Sequence, residues 1–276
     1  HTEPEAITLN VKDFGAFGDG VHDDTSAIQA AILCCPENAR VLIPKGTYPV
    51  TALFLKSDMI LELQENAVLA GIYDRARIPI LAGQIEYDNE DGYYNLGSWE
   101  GNPIDSFASM ITGIHVKNVT ICGKGVLDGR ADFENWWSRP KDKIRAWRPR
   151  MIFLNHCENI TVVGVTVQNS PAWNLHPLMC ENVLIEEVQV RNPSYAQNGD
   201  GLDLESCKNT LIVNSTFDVG DDGICLKSGK DEDGRIRGRV CENVVVDGCT
   251  VFKGHGGFVV GSEMSGGVRN VSVSNC

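Results

Sequence analysis

Six times the chain repeats one short phrase: Cys or Val, a charged residue, Asn, and then a β-branched run. The copies read VKNVTICGKGV from Val116, CENITVVGVTV from Cys157, CENVLIEEVQV from Cys180, CKNTLIVNSTF from Cys207, CENVVVDGCTV from Cys241 and VRNVSVSNC from Val268. The anchor asparagines are Asn118, Asn159, Asn182, Asn209, Asn243 and Asn270, and the closest pair is 23 residues apart. A period of that length is one coil of a solenoid, and its Val, Ile, Leu and Thr runs are too short and too β-branched for amphipathic helices. Asn at one recurrent turn tolerates left-handed backbone and can hydrogen-bond its copies in neighbouring coils. The Cys at the same turn is expected to stack inward as a small apolar residue.

The start of the chain reads differently. NVKDFGAFGDG from Asn10 is turn-like, and DDTSAIQAAIL from Asp23 reads as a short helix, N-capped by Asp24 or Thr25, with Ile28, Ala31 and Ile32 among its apolar residues. An open solenoid end leaves strand edges unpaired, and an amphipathic helix covers them. The expected fold is all-β: a right-handed single-stranded parallel β-helix with an N-terminal capping α-helix, residues 1–276 forming one domain. Residues 73–107 and 131–150 interrupt the repeat and read as long loops on one rim.

Charge and cysteines remove several function classes. The net charge of −13 argues against nucleic acid, whose phosphates need a basic surface. No run of eighteen apolar residues occurs, so no membrane-spanning helix is expected. The ten cysteines show no Cys-x-x-Cys spacing, and neither a metal site nor a cofactor is expected.

Aligning the coils with one another locates a candidate site. Asp200 is followed by GLDLES, Asp222 by GICLKS and Gly256 by GFVVGS. On this register Trp173, Asp200, Asp222 and Gly256 form one column, and Ala172, Gly199, Asp221 and His255 the column before it. Adjacent strands lie about 4.8 Å apart, so three carboxylates crowd one patch. Such crowding raises at least one carboxyl pKa toward the value a general acid needs. Each Asp alone is an ordinary turn residue; three of them beside a histidine point to chemistry.

Those residues resemble the polygalacturonase family, glycoside hydrolase family 28, in three ordered blocks: Asn198-Gly199-Asp200, Gly220-Asp221-Asp222 and Gly254-His255-Gly256. The flanking LESCKN, LKSGKDEDGR and VGSEMSGGVRN look most like the exo-acting bacterial branch. The resemblance implies inverting hydrolysis of a pectic polysaccharide, polygalacturonate or rhamnogalacturonan, and a secreted or periplasmic protein. Asp221 would protonate the glycosidic oxygen while Asp200 and Asp222 activate water, a division that needs a gap for that water. His255 would support the acid. Asn198 would hold its loop or touch substrate.

A pectic or oligogalacturonide substrate is itself a polyanion, so the cleft needs local cations. Lys227 is the preferred carboxylate ligand, and Lys230, Arg235, Arg237 and Lys253 lie in the loops beside it. Trp136, Trp137 and Trp147 could stack on sugars or anchor their loop, and Trp173 could do either. The family's Arg-x-Lys block, expected about a coil after Gly-His-Gly, does not occur before Cys276. The sequence is therefore read as truncated at its C-terminal end, with association possible through an uncapped coil. Two alternatives stand: a calcium-dependent pectic lyase, with KDEDGR as a calcium loop, and a non-catalytic carbohydrate-binding β-helix.

Overall fold

Three parallel sheets run the length of the molecule, and each coil contributes one strand to each. The computed structural model describes residues 7–84 and 95–276; residues 85–94, inside the first expected loop, lie outside the described residues. The largest sheet has nine strands, from Thr8–Asn10 to Val268–Ser274, and the other two have seven each. Every pairing within the three is parallel, for example Thr161 beside Leu184 and Leu184 beside Leu211. The architecture is the expected right-handed parallel β-helix.

Strand alternation builds the interior. In the nine-stranded sheet Val183 and Ile185 point inward and are buried, while Glu181 and Asn182 are exposed. Side chains of one coil rest on their equivalents in the next, and the core is continuous from Val11 to Cys249. Cys157, Cys180, Cys207 and Cys241 are buried free thiols, as the inward-stacking expectation requires.

The six anchor asparagines all adopt left-handed backbone, with φ between 54° and 59°. Their side-chain amides form a ladder. Asn159 donates to Asn118 at 3.0 Å, Asn182 to Asn159 at 3.1 Å, Asn209 to Asn182 at 3.3 Å, Asn243 to Asn209 at 3.0 Å, and Asn270 to Asn243 at 2.6 Å.

Helix α1, Thr25–Cys34, buries Ile28, Ala31 and Ile32 at the N-terminal end of the core, where a cap was expected. Its start differs from expectation. The Asp24 carboxylate does not cap the helix; it accepts the backbone N–H groups of Phe17 at 2.8 Å and Gly18 at 2.9 Å, pinning the Gly-rich loop to the helix. Asp23 takes the turn role and accepts from the Thr25 backbone and hydroxyl.

The described parts of the two interruptions fold over one seven-stranded sheet. Its strands Leu175–Leu178, Leu202–Glu205 and Ile224–Lys227 are buried at every position, outward-facing residues included. A second helix, α2 (Asp231–Arg237), lies beside the same face. KDEDGR therefore forms a helix N-terminus rather than a calcium loop.

Candidate active site

The acids sit at the turns that lead into this covered sheet. Pairing of Leu202 with Ile224 and of Ile224 with Phe258 sets Asp200, Asp222 and Gly256 in one column. Gly201 N–H donates to the Asp222 carbonyl and Gly223 N–H to that of Gly256, at 2.9 and 2.8 Å. Asp200, Asp221 and Asp222 each offer an oxygen within 4.8 Å of the others. That is closer than the ~6.5–9.5 Å usual where water attacks a glycoside directly. Two oxygens at this spacing leave room for one water that hydrogen-bonds both at about 2.8 Å.

Crowding and burial raise two of the acids. Burial, reinforced by Asp221, pushes the Asp200 carboxyl up to about 7. Burial and Asp221 also raise Asp222. The Asp221 carboxylate lies 3.3 Å from Nδ1 of His255, whose backbone N–H donates to the Asp221 carbonyl at 2.8 Å. The His255 side chain is 73% exposed, free to meet a ligand from the groove.

Beneath the acids lies a buried layer that was not predicted from sequence. Asp203 is wholly buried, and neither of its oxygens meets an N–H or hydroxyl donor. Burial, followed by the charge of Asp200, drives its pKa far upward. One pair of positions along, Glu205 accepts from Arg237 at 2.6 Å and from His176 at 2.9 Å. Burial opposes the Glu205 charge, but Arg237 and His176 outweigh it and hold the carboxyl below its usual range. Burial brings His176 down to about 4, leaving a neutral imidazole.

The expected cations are displaced from the groove. Lys227 is 5% exposed; its ammonium lies 2.5 Å from Glu263 and donates to the Gly261 carbonyl at 3.1 Å. It lies below the acids, over the Trp173 ring at 5.2 Å, because the outward face of its strand is covered. Trp173 is 4% exposed and so forms floor rather than a sugar platform. Lys230 gives its backbone N–H to the Gly101 carbonyl, and Arg235 points to solvent on α2. Lys253 ends a strand of the other seven-stranded sheet and lines a separate depression. Arg237 is spent on Glu205.

The groove itself, about 710 Å³, is lined by Asp221, His255 and Asn198 together with residues of the two insertions, Trp99, Trp147 and Lys141 among them. Asn198 both holds its loop and faces the groove: Arg148 donates to it at 2.6 Å and it donates to Glu100 at 3.3 Å. Trp99 and Trp147 stack face to face at 4.7 Å. Trp136 and Trp137 are buried anchors of the second insertion. The first insertion reaches α2 through Gly101, whose carbonyl accepts from Lys230 N–H and from Arg237. A Cβ there would lie 2.9 Å from the Lys230 nitrogen, and φ is +80°, so the contact needs glycine.

Comparison with known proteins points to one family. The family model for glycosyl hydrolases family 28 matches residues 82–276, and one for rhamnogalacturonase A/epimerase, pectate lyase-like, matches residues 8–71. A probable polygalacturonase of Vitis vinifera is 30% identical over 96% of this chain and 54% of its own length. An exo-poly-alpha-D-galacturonosidase of Dickeya chrysanthemi is 29% identical over 97% of this chain and 49% of its own. The structure of a hyperthermoactive exopolygalacturonase from Thermotoga maritima superposes with a TM-score of 0.82 at 31% identity, covering 98% of this chain and 66% of that one. The chain thus spans about half the length of the curated relatives it matches. With a family model covering most of its length, the chain belongs to glycosyl hydrolases family 28.

Proposed function

We propose that this chain carries the catalytic site of an exo-acting, inverting hydrolase of pectic galacturonan. The observation that carries the reading is the trio of carboxylates within 4.8 Å at the edge of a walled groove. Asp221, the acid paired with His255, protonates the glycosidic oxygen. Asp200 and Asp222 hold one water between them and direct it at the anomeric carbon. From below, Asp203, wholly buried with its pKa driven far upward, holds a proton beside Asp200. His255 orients Asp221 and meets substrate, and Asn198 contributes a groove contact. Lys227 acts from beneath as a positive charge rather than as a direct ligand. Secretion or periplasmic export follows from a cell-wall substrate; among the described residues no helix is long and apolar enough to cross a membrane.

Exo action is supported by the first insertion. It crosses from Asn198 to α2 and is tied at both points by Glu100 and Gly101, which sets a wall beside Asp221. A polymer threading through would have to displace those contacts. One relative named for exo activity is similar in sequence and one in overall structure.

Product analysis on polygalacturonate and rhamnogalacturonan side by side tests the reading. The expected first product is a short uronide released from chain ends, with inverted anomeric configuration by proton NMR and no ultraviolet-absorbing double bond. EDTA should leave the rate unchanged, because the chemistry uses carboxylates alone. An unsaturated product, or loss of activity on chelation restored by calcium, would establish the lyase; release of no sugar would leave a binding module.

A further inference from the structure

The groove extends past the acids to an aromatic surface for which the chemistry above has no use. Tyr195, in the turn before Asn198, lines the groove and is 57% exposed. Phe133, from the second insertion, is 60% exposed and stacks on it with centroids 4.9 Å apart at 29°. Both rings meet the buried Trp137 edge-on, at 6.1 and 5.8 Å, so the pair is rooted in the cluster that also holds Phe107 and Trp136. Two large aromatic side chains from distant segments are thus held together while much of their surface stays in water. Leaving that surface exposed forgoes apolar burial, and such a patch beside a groove marks a ligand face.

Charge identifies the ligand. Lys141 lines the same groove and makes no ion pair among the described residues, unlike Lys227 and Arg237. A flat aromatic face beside a free ammonium suits a pyranose ring that carries a carboxylate: the ring's C–H face packs on the aromatic surface and the carboxylate meets the cation.

We propose that Phe133, Tyr195 and Lys141 form a further sugar subsite, outside the acid trio, that binds a uronate residue of the chain being cut. This rests on the galacturonan reading above. The subsite supplies, from the second insertion, a carboxylate contact that Lys227 cannot reach to make. Affinity then grows with oligomer length until this subsite is filled.

Calorimetric titration of galacturonate oligomers of increasing length tests it, in an Asp221→Asn background that prevents turnover. Tyr195→Ala combined with Phe133→Ala is expected to weaken binding of the longer oligomers about tenfold and to leave the dimer unaffected. Tyr195→Phe keeps the stack and should retain affinity, which separates a lost platform from a damaged fold. Lys141→Met should weaken binding of acidic oligomers but not of their methyl esters. If the parent protein binds oligomers while these variants lose affinity equally at every length, or lose none, the subsite is refuted and the galacturonan reading stands. If the parent binds no galacturonate oligomer of any length, both fall.

Discussion

Two sheets of one coil make opposite use of the same strand geometry. In the nine-stranded sheet the outward residues of each strand face water, as in Lys208–Val213, where Lys208, Asn209 and Leu211 are exposed. In the sheet that carries the acids, the outward residues of Leu202–Glu205 and Ile224–Lys227 are as buried as the inward ones. The first face is stabilised by repetition, each coil satisfying the next with identical partners. On the second, insertions bury Asp203, Glu205, Lys227 and His176, and Glu205, Lys227 and His176 each depend on a particular partner. Repetition gives many small contributions; the covered face concentrates charge, at a cost in desolvation, where chemistry needs it.

That contrast can be broken from either side. The largest effect should come from Asp221→Asn, which removes the proposed acid while leaving its neighbours in place: kcat should fall about 10²- to 10⁴-fold with unchanged circular dichroism. Near-wild-type turnover would remove Asp221 from that role. Next is Arg237→Met, which strands Glu205 in the interior; chemical denaturation should show a loss of about 3–5 kcal/mol.

Asp200→Asn should act in the opposite direction on stability. A carboxyl raised to about 7 in the folded protein, against about 3.9 unfolded, binds more protons when folded throughout that window. Its contribution is present below pH 4 and is lost as pH rises to 7. The amide has no charge to desolvate, so the inactive variant should be more stable than the parent at neutral pH, by up to about 4 kcal/mol, and melt with a flatter pH dependence. Parallel Tm–pH curves for the two proteins would refute the assignment. The smallest effect belongs to the repeated face: Asn182→Ala removes one rung of the ladder and strains a left-handed turn, and should cost about 1–2 kcal/mol in denaturant titrations with kcat unaltered.

The same contrast decides what could be read from the sequence. The ladder, the inward cysteines and the acid columns all follow from self-alignment of the repeat, because a parallel coil places equivalent residues side by side. Alternation in LDLES and ICLKS, had it been followed, would have turned Asp203, Glu205 and Lys227 away from the core. What covers that outer face is written in residues 73–107 and 131–150, which have no period, so Lys227 reads as a cleft cation when it is a buried one. Lys141 was missed for the same reason. A signal for Asp203 did exist: an acid two residues into a strand whose equivalents are His176 and Cys225 is out of place on a solvated face.

The asparagine ladder has a further property. Each rung donates its amide N–H toward the preceding coil, so the side-chain dipoles align head to tail over five links. The line ends where Asn118 donates to the Asp58 carboxylate at 2.7 Å. Its positive pole therefore meets a fixed anion, the arrangement that places acidic residues at helix N-termini. Aligned hydrogen bonds polarise one another. The solenoid thus carries along its outside an electrical axis, built from side chains rather than from backbone, that gives a nearly periodic object a distinguishable front and back.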